Sequence, residues 1–204
     1  LIGRQVRKVM AAILASIRHN LARVADFSGR ESRGAFWPYA LFLFLLSAAV
    51  GAMVAVWIMV AIFVRIQQYM IAHPEGLPIP STPDAYPLPP ELMPDVSGIW
   101  RLTAVVNFLF ALLLAAAVVR LLHDRDKSGW WATLPVPFMV YGQLQGSQAA
   151  IMMTGGGAAD PATMLPVALN SLFYWVAVIF LIVVLAQEGS NGPNRFGPEP
   201  GELT

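Results

Sequence analysis

"IWRLTAVVNFLFALLLAAAVVRLLHDRDKSGWW", residues 99–131, joins a long apolar run to a short and densely charged link. The apolar part, from Ile99 to Leu122, is long enough for a helix to cross a bilayer, which takes roughly 20 residues. Arg101 and Arg120 lie near its two ends, where their long side chains can reach the two interfaces. The stretch therefore predicts a transmembrane helix followed by a solvated link.

The composition of the whole chain agrees with a membrane protein. Of its 204 residues, 57% are hydrophobic and only 12% are charged. The formal net charge of +1 gives no reason to expect nucleic acid as a partner. The chain has no cysteine, which excludes disulfides, thiolate metal sites and a cysteine nucleophile. The three histidines and the carboxylates show no spacing that closes a metal site, so we expect no metal and no cofactor.

Three further apolar runs meet the same length criterion, and they extend from Phe36 to Ile66, from Trp130 to Met153 and from Leu165 to Ala186. The run that begins at Trp130 is the least regular. Two prolines interrupt its beginning and three glutamines make its far half polar: Pro135, Pro137, Gln143, Gln145 and Gln148. It either crosses in a kinked form or is partly re-entrant. We predict an all-α polytopic membrane protein with four transmembrane helices. For the third of them, both a kinked crossing and a re-entrant course remain open.

Small residues recur at every fourth position of the first crossing, at Ser47, Gly51 and Ala55. Residues four apart lie on the same face of a helix, and small side chains let a second helix backbone approach closely. We interpret this small-residue stripe as a helix-packing face.

The positions of Lys and Arg predict the orientation of the chain. Seven of the thirteen precede the first crossing, and Arg120, Arg125 and Lys127 lie at or in the link between the second and the third. Residues 67–97 contain none, but they hold eight prolines and four acidic residues, so we expect them to form an outward loop. Because cytoplasmic segments carry the excess of cations, both termini are predicted to be cytoplasmic in a bacterial inner membrane.

The first 25 residues, LIGRQVRKVMAAILASIRHNLARVA, predict an amphipathic helix rather than a secretion signal or a crossing. Apolar residues follow helical spacing, and the cations lie largely off that stripe at Arg4, Arg7, Lys8 and Arg18. Such a helix fits either a surface of anionic phospholipid or a partner subunit. The expected organisation is an amphipathic helix over 1–26, a transmembrane domain over 27–200 and a short tail over 201–204.

Three ordered motifs carry a resemblance to a known family. They are FSGRESRGAFW at 27–37, RLLHDRDKSGWW at 120–131 and GSNGPNRFGPEP at 189–200. With the apolar runs between them, they resemble the bacterial inner-membrane family catalogued as domain of unknown function 805. The resemblance covers 27–200 and implies a small polytopic inner-membrane protein. It implies no activity, because the family has none firmly assigned.

All three motifs fall on the cytoplasmic side of the predicted topology, so their polar side chains can meet. We call this set the polar plate, and it comprises Arg30, Arg33, Arg120, His123, Asp124, Asn194 and Arg195. Three tryptophans supply interfacial aromatic surface at the same depth: Trp37, Trp130 and Trp131.

Three roles for the polar plate remain open. Its carboxylates and arginines could close the inner end of the helix bundle, or its arginines could bind phospholipid headgroups through their planar donor forks. Catalysis by His123 with Asp124 is the third role. Adjacent residues of a helix point about 100° apart, and no Ser or Cys nucleophile is placed with them by spacing.

The chain is interpreted as an accessory or scaffolding subunit that packs against other membrane-protein subunits, not as an enzyme. One alternative is a transporter or channel, for which Asn107, Gln143 and Asn170 are few and uncharged candidates for a lining. Another is a protein that binds or processes phospholipids at the cytoplasmic face. The bilayer, with its anionic phospholipids, is an expected partner in every case.

Overall fold

The computed structural model describes residues 2–74, 76, 92, 96–154 and 161–201. Across these ranges every regular element is a helix, which confirms the all-α prediction. The five α-helices are α1 (Ile2–Ala22), α2 (Arg33–Ala72), α3 (Val96–Asp124), α4 (Val136–Thr154) and α5 (Pro161–Ala186). A short 3₁₀ helix, Gly129–Thr133, precedes α4.

Three of the described helices are long and apolar enough to cross a membrane: α2, α3 from Gly98, and α5 from Met164. They correspond to the first, second and fourth predicted crossings, so the protein is a multi-pass membrane protein. The 19 residues of α4 are not among these candidates. The crossing predicted for 130–153 therefore stays a prediction. Most of the predicted outward loop, 67–97, lies outside the described residues.

The first crossing helix begins earlier than the sequence predicted. The Ser32 hydroxyl accepts a hydrogen bond from the Ala35 N–H at 3.2 Å, which is N-cap geometry, and α2 begins at Arg33 rather than at Phe36. Pro38 consequently lies inside the helix. The polar cap sets this boundary, and the apolar run alone could not indicate it.

The chain divides into two compact units. Unit 1 comprises residues 1–47, 107–137 and 175–204. Its buried core draws on the start of α2, the last turns of α3 and the end of α5: Phe36, Tyr39, Leu43, Ala117, Val118, Leu121, Leu122, Val184 and Leu185. Tyr39 joins two of these helices directly, because its hydroxyl donates to the Leu113 carbonyl at 2.9 Å.

Unit 2 comprises residues 48–106 and 138–174. Here the Trp100 indole N–H donates to the Gln143 carbonyl at 2.9 Å, and the ring lies against Gly146. A Cβ at Gly146 would lie 2.1 Å from the indole ring, so only glycine admits this contact. The Asn170 amide donates to the Phe138 carbonyl at 3.0 Å. Of the polar side chains considered for a transport path, that of Asn170 thus forms a hydrogen bond between two helices.

Helix α1 ends at Ala22, four residues before the predicted boundary, and is fastened to the start of α2. The Ser16 hydroxyl and the Asn20 amide both donate to the Ala35 carbonyl, the latter at 3.0 Å. Both side chains are buried, whereas residues 3–12 of α1 are all exposed. The C-terminal half of α1 therefore packs on the rest of unit 1, whereas the side chains of its N-terminal half are left exposed.

Candidate functional site

Arg120, near the C-terminal end of α3, is fully buried at 0% exposure and joins the second motif to the first. Its Nε donates to Glu31 Oε2 at 2.6 Å, and the two side chains form an ion pair. Its Nη1 donates to the backbone carbonyls of Arg23, at 2.9 Å, and of Asp26. Its Nη2 donates to Asn20 Oδ1 at 2.8 Å. All three guanidinium nitrogens are thus satisfied inside the chain.

Glu31, only 1% exposed, is the partner that allows Arg120 to be buried. Its backbone N–H also donates to the Arg120 carbonyl at 3.1 Å, so the two residues contact each other twice. The second carboxylate oxygen, Oε1, lies 3.3 Å from His19 Nε2. That oxygen accepts no hydrogen bond from the residues that the structure describes.

The loop between α1 and Glu31 has its own polar contacts. Ser28 donates to Asp26 Oδ1 through both its hydroxyl and its backbone N–H, the latter at 3.0 Å. Arg23 Nε donates to Asp26 Oδ2 at 3.0 Å. These bonds, with the Ser28 hydroxyl contributing most, hold the pKa of the Asp26 carboxyl well below its ordinary value. Asp26 is therefore ionised near neutral pH.

Arg30 and Asp124 form a second buried ion pair, and the C-terminal segment closes over it. Arg30 Nε and Nη2 both donate to Asp124 Oδ1, at 3.0 and 2.9 Å. Nη2 also donates to the Ser190 carbonyl at 2.7 Å, and Nη1 donates to the Gly192 carbonyl. Residues of all three motifs thus meet around one guanidinium group.

The Asp124 carboxylate also requires glycine at position 189. A Cβ at Gly189 would lie 2.1 Å from Asp124 Oδ2, which is far inside van der Waals contact. The adjacent Ser190 donates to the Asp124 carbonyl through its backbone N–H at 2.8 Å and its hydroxyl at 3.0 Å. The third motif therefore packs directly on the end of α3.

Arg125 is buried as well and satisfies the last carbonyls of two helices. Its Nη1 donates to the Leu121 carbonyl at 2.6 Å, and its Nη2 donates to the carbonyls of Leu185 and, at 2.7 Å, of Gln187. Burial lowers the pKa of its guanidinium, and the neighbouring Asp124 carboxylate opposes that shift. Arginine remains charged in either case, so Arg125 acts as a cationic cap at the end of α5.

His123 points away from the carboxylate beside it in sequence. Its Nδ1 lies 3.1 Å from the Gly29 carbonyl, and its ring stacks on Phe196 with centroids 3.8 Å apart. The His123 carbonyl accepts a hydrogen bond from the Asn194 amide at 2.9 Å. The Asp124 carboxylate therefore does not orient the His123 imidazole in the way that a catalytic base would require.

Arg195 lies at the exposed edge of the polar plate. The predicted topology brings Arg195, Arg30 and Arg33 to the same face as Asp124, and although Arg195 was our first choice of partner, the structure gives that place to Arg30. Arg195 instead pairs with Asp126 at 3.0 Å, where the two side chains are 60% and 53% exposed. Arg30 is held beside Asp124 by its own bonds to the Ser190 and Gly192 carbonyls, and Arg195 lies outside this contact.

Arg33 is the other exposed member. Its Nη2 lies 3.7 Å from Glu188 Oε1, where the side chains are 45% and 90% exposed. Its Nη1 donates weakly to the Ala186 carbonyl at 3.4 Å. The seven residues of the polar plate therefore all lie in unit 1, and three of them, Arg30, Arg120 and Asp124, form buried ion pairs. Their joint role as a functional site stays a prediction.

The three interfacial tryptophans are all exposed. Trp130 is 80% exposed, and Trp131 packs on Phe180 with ring centroids 5.6 Å apart. Trp37 contacts the buried Phe36 ring edge to face. Their exposure at the polar end of unit 1 is compatible with an interfacial belt.

Among the residues that the structure describes, no other helix packs against the predicted small-residue stripe. Gly51 has no atom within 4 Å of an added Cβ, and Ala55 is exposed. Ser47 is half-buried, and its hydroxyl donates to the Phe44 carbonyl of its own helix. Within the described part of the chain, the small-residue stripe is therefore not used for internal packing.

The sequence reasoning missed several members of this cluster: Asn20, Glu31, Arg125, Gly189 and Ser190. Glu31 could have been found, because it is the single acidic residue of the first motif and a buried arginine needs an acid. Gly189 gives no such signal, since a glycine in a polar segment predicts only a turn.

One comparison with known proteins gives a match. The family model described as "Protein of unknown function (DUF805)" matches residues 24–198, which include all of α2 to α5 and leave α1 outside. No curated protein and no solved structure matches the chain.

Proposed function

Because the chain belongs to the DUF805 family, which has no assigned activity, we propose its function from its own surfaces. We propose that this multi-pass membrane protein is an accessory or scaffolding subunit of a larger complex in a bacterial inner membrane, with both termini cytoplasmic. The observation that carries the proposal is the uncovered length of α2. Its buried residues are Ala35, Phe36, Tyr39 and Leu43, so none lies beyond its first eleven positions.

The uncovered part of α2 is not uniformly suited to lipid. It begins with SAAVGAMVA at 47–55, where small residues dominate, while most of the later exposed positions are large and apolar. Lipid chains are as apolar as leucine, so large side chains satisfy a lipid-facing surface. Small residues instead favour close approach by another helix backbone. Since no described helix of this chain lies against Gly51, we assign that helix to a second chain.

The buried arginines support a structural role for the polar plate over ligand binding. Arg30 and Arg120 direct every guanidinium nitrogen to an acceptor of this chain. A phosphate group would have to displace these bonds, each of which is charge-assisted and short. Headgroup recognition by these two arginines is therefore less favoured than closure of the bundle.

Site-specific photocrosslinking in native membranes tests the proposal. A diazirine-bearing residue is placed at Ala55, and the matched control carries it at Met53, which is 73% exposed and lies on the opposite face two residues away. We expect discrete adducts with another membrane protein from Ala55 and only lipid adducts from Met53. Lipid adducts alone at both positions would contradict the proposal. An adduct with a second copy of this chain would replace it with self-association.

A further inference from the structure

Helix α1 presents a row of large apolar side chains that this chain does not cover. Val6, Val9, Met10 and Leu14 are each between 54% and 56% exposed. Their spacing of three and four residues places them on one face of the helix. In water such a row would be an exposed apolar patch of the kind that marks an interaction surface.

Cationic side chains of α1 flank the apolar row along one side of the helix. Arg4, Arg7, Lys8 and Arg18 are all exposed, and no Asp or Glu precedes Asp26 in the chain. None of the four makes an ion pair within the described residues. This face therefore carries uncompensated positive charge.

The contacts of the C-terminal half of α1 fix the position of the apolar row relative to the start of α2. Ile17 packs against the core cluster that contains Phe36 and Tyr39, and Ser16 and Asn20 bond to the first turn of α2. The helix is thus fixed where a spanning helix starts, beside the exposed Trp37. Tryptophan at that position is typical of headgroup depth, so α1 lies where a bilayer surface is available to it.

We infer that α1 is a docking element for an anionic phospholipid surface. The apolar row lies among the outer segments of the acyl chains, and the flanking cations contact lipid phosphates. Charge complementarity decides between lipid and the alternatives, because a second copy of this basic helix would repel it. Residues 24–198 carry the family match, and α1 lies outside the matched region. This inference concerns a different surface from the small-residue stripe and does not depend on it.

The test uses the full chain, reconstituted in vesicles, with one cysteine introduced into its cysteine-free sequence. Val9→Cys reports the apolar row, and Ala11→Cys reports the opposite face two residues away. Labelling rates with a membrane-impermeant maleimide are normalised to the labelling plateau, which gives the fraction of chains with α1 outside. Vesicles of phosphatidylcholine alone are compared with vesicles that also contain phosphatidylglycerol.

In phosphatidylglycerol vesicles, we expect Val9→Cys to react at least about tenfold more slowly than Ala11→Cys, since several cations each strengthen attachment to anionic lipid. Adding Arg4→Gln, Arg7→Gln and Lys8→Gln should raise the Val9→Cys rate by about tenfold or more. The matched variant with Lys at positions 4 and 7 should keep the slow rate. All three positions are exposed, so the substitutions leave the fold intact.

Four results would overturn the inference. Fast labelling of Val9→Cys in both vesicles, with protection only in native membranes, would assign the row to a protein partner. Equal protection in both vesicles would remove the role of anionic lipid. Fast labelling everywhere would leave α1 in water. Disulfide formation between two chains through Val9→Cys would assign the row to a second copy.

Discussion

Two of the ion pairs that join the motifs of this protein differ mainly in burial. Arg120 and Glu31 have side chains that are each 0% exposed, whereas those of Arg195 and Asp126 are 60% and 53% exposed. Both pairs have short distances, 2.6 Å and 3.0 Å. Geometry alone would rank them as similar, yet the dielectric around them is very different.

The difference indicates which contacts hold the three motifs together. Exposed pairs contribute little, because water screens the charges and ordering two long side chains costs entropy. A buried pair is different: removing one partner leaves an uncompensated charge away from water. The buried pairs should therefore control the integrity of unit 1, and the exposed pair should adjust it only slightly.

Arg120→Met gives the largest expected effect. It leaves the Glu31 carboxylate buried without its cation, and we expect a loss of about 3–5 kcal/mol in the free energy of unfolding. SDS titration in mixed micelles, followed by circular dichroism, measures that free energy. Arg101→Met is the control, because Arg101 is an exposed arginine of the same helix. A loss of stability at position 120 no larger than that at position 101 would contradict the distinction between buried and exposed arginines.

Gly189→Ala gives an intermediate effect on the Arg30–Asp124 pair. The added methyl group would lie 2.1 Å from Asp124 Oδ2, and the overpacking should cost about 1–3 kcal/mol in the free energy of unfolding. Gly201→Ala is the matched control, since no atom lies within 4 Å of its added Cβ. The same SDS titration compares the two variants. Equal stability would mean that the third motif does not pack on Asp124.

Much of this architecture could be predicted from residue patterns. The apolar runs predicted the spans that became α2, α3 and α5, because length and hydropathy alone decide whether a helix suits a bilayer. The charged motifs at the ends of these runs also indicated that Arg30, Asp124 and Asn194 would fall in one region. Periodicity of α1 predicted its helix, although the end at Ala22 depended on the turn that follows.

The choice of partners could not be predicted, for a physical reason. Several arginines fall at the same depth, and sequence cannot tell which of them reaches Asp124 when Arg30, Arg33 and Arg195 are all candidates. The path of the backbone decides, and that path depends on close contacts such as Gly189 on Asp124. The start of α2 differs from the prediction for a similar reason, because local hydrogen bonds from Ala35 and Phe36 to Ser32 mark it.

Arg195→Gln gives the smallest expected effect. Its loss should change the free energy of unfolding by about 0–1 kcal/mol, because water replaces the contact with Asp126. The stacking of Phe196 on His123 should remain, so the C-terminal segment should stay in place. The change should shrink further in concentrated salt, which screens exposed charges. A loss of stability as large as that from Arg120→Met would contradict the ranking of the buried pair above the exposed pair.

A double-mutant cycle on both pairs tests most directly the claim that buried charge holds the motifs together. The cycles combine Arg120→Met with Glu31→Leu, and Arg195→Gln with Asp126→Asn, and each yields a coupling energy from SDS titration. We predict a coupling of about 2–3 kcal/mol for the buried pair and below about 0.5 kcal/mol for the exposed pair. Equal coupling energies, or a larger one for the exposed pair, would contradict the account.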